Sequence, residues 1–207
     1  MPTNINKWLK ISAEIQAIAQ AGLTYTENAF DKERFIRLRA IAAELLAELS
    51  QNPLHDLTEI LTLEKGYTTP KLDVRSFIIK EDKILLVKEI ADGLWSLPGG
   101  WVDVNESPSE SIIRETKEET GYDISVIKLL ALWDKLKHDH PPQWPHVYKA
   151  LFHCEIIGGE PMENIEVSEL QFFDMDNLPP LSTHRITATQ INRLRELVAN
   201  CQPTEFD

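Results

Sequence analysis

The chain has 207 residues, 43% of them hydrophobic, with 21 basic and 33 acidic side chains and a formal net charge of −12. This length suits one ordinary domain plus a small appendage, and the acidity argues against a general nucleic-acid binder, which presents a basic face. Two cysteines without a CxxC pairing exclude a disulfide framework and suit a reducing cytoplasm, and no run reaches the roughly 20 apolar residues of a membrane helix.

The opening "MPTNINKWLKISAEIQ" turns amphipathic at once, unlike a basic-then-apolar export signal. Residues 4–22 read as a helix, with Ile5, Trp8, Leu9, Ile11, Ile15, Ile18 and Ala19 mostly at three- and four-residue spacings and Gly22 as its stop. A second helix is expected over 31–50, with Phe35, Leu38, Ile41, Ala42, Leu45, Leu46 and Leu49 as its stripe and Asp31 as its cap. Neither can bury its stripe alone, so the two should pair with each other or with a second copy of the chain. "NPLHDL" and "EKGYTTPK" mark a linker near residues 51–71. The expected division is therefore a small helical domain, 1–66, for dimerisation or substrate selection, and a second domain, 67–207. Up to Lys65 the chain carries 7 basic and 9 acidic residues, so most of the negative charge belongs to the second domain.

From residue 72 the period shortens. "LDVRSFII" and "KILLVKEI" read as a hairpin across "KEDK", followed by the loop "SLPGG". Arg75, on the first of these strands, is a phosphate candidate. Ser107 to Glu110 spells S-P-S-E, a capping box with proline at the first helical position, and Gly121 sits where a helix ends in a left-handed residue. A helix over 108–120 follows, with Ile112, Ile113 and Thr116 as candidates for its inner side.

On that helix Glu115, Glu118 and Glu119 stand at i, i+3 and i+4 and project from one face. Unpartnered, they repel one another, and Arg114 and Lys117 are too few to neutralise them. A divalent cation, Mg²⁺ or Mn²⁺, resolves the conflict with hard oxygen ligands; a solvated acidic helix face is the alternative.

Strands are expected at 124–134 and 147–157, a last strand at "LQFFDM", and a C-terminal helix over 184–200 with Ile186, Ile191, Leu194, Leu197 and Val198 on one side. Strands and helices mix without strict alternation, which points to an α+β fold. Between two strands, "WDKLKHDHPPQWPHVYK" is a Pro-interrupted loop. Lys137 or His138 is expected to meet phosphate there, with Trp144 or Tyr148 stacking on a base. A zinc site from His138, His140 and His146 is a weaker reading, and local packing of the loop a third.

Gly100, Glu106, Arg114, Glu115, Glu118, Glu119 and Gly121 fill every invariant position of a pattern that resembles the Nudix hydrolase signature, which is G, five residues, E, seven residues, then REUxEExGU with U apolar. The U positions, Thr116 and Tyr122, depart from it. The resemblance implies a Nudix-type α/β/α sandwich with a mixed sheet. It also implies Glu115, Glu118 and Glu119 as metal ligands, a Gly99 or Gly100 carbonyl completing the sphere, and Glu106 paired with Arg114 in support. The general base is expected in the signature helix or on a later loop, where Glu166 is preferred among Glu163, Glu166 and Glu169.

With its helical N-terminal segment, "TPKLDVR" and "FFDMDNLPPLS", the chain is similar to a bacterial Nudix subgroup acting on nucleoside diphosphates linked to a group X, among them ADP-ribose and CDP-choline pyrophosphatases. That likeness implies a homodimer and a small nucleotide derivative as substrate. A ligand-sensing regulator, a nucleoside triphosphate hydrolase and a hydrolase of RNA 5′-phosphates are the competing readings.

Overall fold

A computed structural model describes residues 2–50, 53–141, 143, 145–162 and 165–207, with the side chains of 2–6 and 50 outside the description. Two compact units are present, Met1–Pro70 with Pro142–His146, and Lys71–Pro141 with Val147–Asp207.

The first unit holds α1 (Pro2–Tyr25), α2 (Ala29–Ser50) and α3 (Leu54–Leu63). Gly22 does not stop α1. It lies where a Cβ would run into the Phe35 ring, so this glycine gives α2 a close approach and the helix continues for three more residues. Asn28, not Asp31, caps α2, its Oδ1 accepting from the N–H groups of Phe30 (2.9 Å) and Asp31 (3.2 Å). The expected linker contains α3, whose Leu57 and Leu61 pack with Ala43 and Leu46. Its breakers flank that short helix rather than interrupt it.

The buried side of α1 is largely polar. Ser12, Gln16 and Gln20 are buried there with Ala19, and Ser12 donates to the Ala42 carbonyl at 2.8 Å. Of the expected apolar stripe, Ala19 is buried and Leu9 packs against Ala43, Leu46 and Leu61, whereas Trp8 and Ile18 turn away and are about half exposed, at 43% and 53%.

The second unit is built on a seven-stranded mixed sheet of β1 (Lys71–Lys80), β2 (Lys83–Glu89), β3 (Trp95–Ser96), β4 (Tyr122–Asp134), β5 (Val147–Gly159), β6 (Val167–Asp174) and β7 (Glu205–Phe206). The order is β3-β2-β1-β5-β4-β7, with β6 on β2. β1 runs parallel to β5, and β7 parallel to β4; the other pairs are antiparallel. The β1–β2 turn uses Glu81 and Asp82 in the left-handed region, the geometry that matches the twist of a two-residue hairpin.

Alternation along β1 feeds two cores. Val74 and Ile78 pack with Ile112 of α4 (Pro108–Thr120), whereas Phe77 packs with Ile191, Leu194 and Leu197 of α5 (Ala188–Ala199). The sheet is thus sandwiched between helices in an α+β fold. Thr116 fits the tight α4 interface as a hydroxyl, donating to Ser76 Oγ at 3.1 Å. Ile113, expected inside, is 41% exposed. α5 starts later than expected because Thr187 forms a capping box with Gln190.

Candidate active site

The carboxylate helix is fixed at both ends by its own sequence. Ser107 and Glu110 exchange the reciprocal hydrogen bonds of a capping box, and Gly121, left-handed at φ 78°, closes the C-terminus by donating to the Lys117 carbonyl. Ahead of the helix, the "LPGGW" segment runs along β1. Ser76 N–H donates to the Pro98 carbonyl, Val74 N–H to that of Gly100, and Val102 N–H to that of Leu72.

This pairing presses the glycines against α4. Gly99 sits at φ 132°, and a Cβ on Gly100 would come within 2.6 Å of Glu115 Oε2. The Gly99 N–H donates to Glu119 Oε2 at 2.7 Å. Glu115 and Glu119 therefore lie on backbone stripped of side chains, while Glu118 is exposed.

Arg114 ties the cluster together. Its Nε and Nη2 grip Glu106 at 2.9 and 3.0 Å, and its Nη1 donates to Glu115 and Glu118, each at 2.9 Å. Among the described residues no three acidic, histidine or cysteine side chains converge as a ready ligand set, since Arg114 stands between two of the carboxylates. The donor chemistry nevertheless fits a hard divalent cation, being all oxygen and set beside exposed backbone. Glu119 is 5% exposed, and burial pushes its carboxyl up to about 8 against the pull of Arg75 and the Gly99 N–H. Burial raises Glu115 as well, with Arg114 opposing it. Cationic charge at this spot would relieve both.

The remaining expected residues fall in different places. Arg75 is not presented to solvent as a phosphate ligand. It is 5% exposed, its Nη2 holds Asp73 at 2.8 Å and its Nη1 donates to the Leu97 carbonyl at 3.0 Å. His138 turns to Asp207 (3.3 Å) and packs on the Trp133 ring at 4.7 Å, whereas His140 turns to the Thr183 carbonyl (2.7 Å), so these two histidines serve different partners. Lys137 ends a short 3-10 turn, Lys135–Lys137, and is exposed. Tyr148 is 40% exposed on β5. Trp144 and Glu163 lie outside the described residues. Glu166 is exposed just before β6, its carbonyl accepting from Ile90 N–H at 2.9 Å.

Three further charged residues join the site that the sequence reading passed over. Glu89, at the end of β2 and 7% exposed, approaches Arg185 at 3.0 Å and Arg75 at 3.8 Å. Burial raises its carboxyl, Arg75 and Arg185 oppose, and the charges of Asp92 and Glu166 add to the rise. Asp73 and Lys149 are buried neighbours on β1 and β5 and form an ion pair. The signal available for Glu89 was a carboxylate closing an apolar run; Asp73 and Arg75 stand two apart, on one face of a strand.

The comparisons agree with this geometry. Residues 6–61 match the family described as "UDP-X-like, N-terminal oligomerisation domain", and residues 69–194 match the NUDIX domain. Over 188 residues, 91% of this chain and 90% of the other, it is 44% identical to a Bacillus subtilis (strain 168) protein provisionally named as the ADP-ribose pyrophosphatase YjhB. Among solved structures it resembles a UDP-X diphosphatase, with 36% identity, a TM-score of 0.65 and coverage of 98% of this chain and 99% of that one. An ADP-ribose pyrophosphatase from Streptococcus suis 89-1591 is 44% identical, with a TM-score of 0.62 over 67% of this chain and 100% of that one. A glycine-backed carboxylate helix on a mixed sheet, matched over this span, places the chain in the Nudix family as a Nudix hydrolase.

Proposed function

We propose that the enzyme cleaves the diphosphate of a nucleoside diphosphate linked to X, with ADP-ribose and CDP-choline as first candidates, giving NMP and X-phosphate. The observation that carries this reading is the placing of Glu115 and Glu119 against the bare Gly99–Gly100 backbone. The names of the similar proteins, ADP-ribose pyrophosphatase and UDP-X diphosphatase, support the same substrate class.

Glu115, Glu118 and Glu119 would hold Mg²⁺ or Mn²⁺. Gly99 is the preferred carbonyl donor, because that of Gly100 is engaged by Val74. Such an ion, when bound, offsets the diphosphate charge and makes a water more acidic. Glu166 takes the proton from the attacking water; the water oxygen bonds to one phosphorus as the bridging P–O bond breaks, and X-phosphate or NMP departs with the bridging oxygen. Arg114, gripped by Glu106, keeps the helix in register with the glycine loop. Lys137, Tyr148 and Trp144 are the substrate contacts of this reading.

The test is hydrolysis of ADP-ribose, CDP-choline, UDP-sugars, nucleoside triphosphates and 5′-triphosphate RNA, each with Mg²⁺, Mn²⁺ or a chelator, with products identified. The expected result is metal-dependent release of NMP from one or more of the first three. Tight binding of such a ligand without cleavage would replace the enzyme reading with a sensor.

The helical domain, 1–66, is proposed to make a homodimer of a cytoplasmic enzyme whose catalytic domain is 67–207. Trp8, Ile11, Ile15 and Ile18 recur at 3-4-3 spacing on the side of α1 away from its buried polar residues, a seam suited to a second helix. Removing residues 1–65 should leave a monomer in light scattering, and Ile18→Arg should weaken the dimer with the helices intact. A truncated protein that remains dimeric would refute this.

A further inference from the structure

Beyond the carboxylates, the same unit buries a row of amines. Lys149 is 1% exposed and Lys135 6%. Asp73 is shared between Arg75 and Lys149. Lys149 stands opposite Trp133 in the β4–β5 register, and Lys135 follows that tryptophan by two residues at the start of the 3-10 turn. Burial is the main cause that brings both amines down to about 8, joined for Lys135 by the charge of Lys149, and for Lys149 by the charges of Arg75 and Arg185 against the opposing pull of Asp73. Arg185 reaches the surface beside them, its Nε on Glu89 at 3.0 Å and its Nη1 on Asp92 at 2.9 Å. His140 joins this group through Thr183, two residues from Arg185, and both lysines disfavour its charge. Its Nδ1 meets the Thr183 carbonyl, while its Nε2 is buried without a hydrogen-bond partner among the described residues.

A fold gains nothing in stability by crowding desolvated amines together. An anion placed among them would lift the repulsion, restore both charges and make charge-assisted hydrogen bonds. The row continues to the carboxylates, since Arg75 also feels the charges of Glu119 and Glu89. A diphosphate has two ends, and the carboxylate helix serves only one of them.

We infer that Lys135, Arg185 and His140, backed by Lys149 and Asp73, form an anion subsite that takes the substrate's phosphate on the side away from the carboxylate helix. The assignment stands beside the expected Lys137 and takes the place of His138, which turns to Asp207. The identity of the anion rests on the proposed function, but its binding does not.

The experiment titrates inorganic phosphate into the full-length protein by calorimetry with a chelator present, so that phosphate carried on a metal does not count. Wild type is expected to bind saturably, Lys135→Gln and Arg185→Gln about tenfold more weakly or worse, and Lys83→Gln, at the exposed hairpin, unchanged. Thermal melting checks that each variant is folded, and Arg185→Gln, at a partly exposed position, keeps the test alive should Lys135→Gln fail to fold. On the best substrate, loss of the subsite should raise KM more than it lowers kcat. Absence of saturable phosphate binding by wild type, or equal affinity in every folded variant, overturns the subsite even if hydrolysis is found. Weakened phosphate binding in a protein that hydrolyses none of the diphosphates leaves the subsite standing and removes the proposed function instead.

Discussion

Glu119→Gln is expected to lower turnover of the best substrate by about 10²- to 10³-fold, the scale set by losing one electrostatic stabiliser of the transition state. The fold should survive. The Gly99 N–H, now 2.7 Å from Glu119 Oε2, keeps an acceptor in the amide oxygen, and the volume is nearly unchanged. Without metal the variant should be more stable than wild type at alkaline pH. The Glu119 carboxyl, ordinarily near 4.5, is pushed up to about 8 in the fold, so the native state holds its proton more tightly than the unfolded chain. Wild-type stability from this group is full below about 4.5 and falls as pH rises to about 8, a loss the amide avoids. Glu118→Gln should cut turnover similarly with little effect on melting, because Glu118 is exposed and pairs with Arg114 at the surface. Steady-state kinetics with saturating Mg²⁺, paired with melting curves across pH, measures both. Metal-dependent turnover that survives at the wild-type rate in both variants would sink the ligand assignment.

Asp73→Asn should produce the largest loss of stability, about 3–5 kcal/mol, the range for breaking a buried ion pair by removing one partner. Burial alone would raise the Asp73 carboxyl, but Arg75 and Lys149 outweigh it and hold the group at about 2. Its stabilisation is therefore present above about 3.8 and disappears as pH falls toward 2. The asparagine leaves Arg75 and Lys149 buried without their counterion, and Arg75 reaches the catalytic side of the sheet through Glu119 and Glu89. Activity should fall together with stability. Adding Lys149→Met, which removes one orphaned charge, should recover part of the loss, and a double-mutant cycle in urea measures the coupling. A single variant as stable as wild type would show that the triad contributes nothing to the fold.

What was legible in the sequence was local. The helix over 108–120 could be read because its box, proline and terminal glycine act within three or four residues of one another, and the same spacing put Glu115, Glu118 and Glu119 on one face. The hairpin and the α5 stripe followed for the same reason. The short helix α3 was hidden because its two packing leucines make too brief a pattern to outweigh the breakers on either side. In α1 the period was plain but its direction was not: repeat spacing says that a face exists, and only the neighbouring helix determined that Ser12, Gln16 and Gln20 turn inward.

The charged interior belongs to the tertiary structure entirely. Asp73 meets Lys149 because β1 and β5 run side by side in one parallel register, although 76 residues separate them along the chain. Glu89 meets Arg185 through a loop 90 or more residues away, which also brings Ser182 to Asp92. The sequence by itself determined the carboxylate helix and the family it belongs to, since those depend on near neighbours. Strand order and register decided which cations surround Arg75 and whether they are buried, and burial sets their charge, because desolvation acts on a side chain only once distant segments have closed around it.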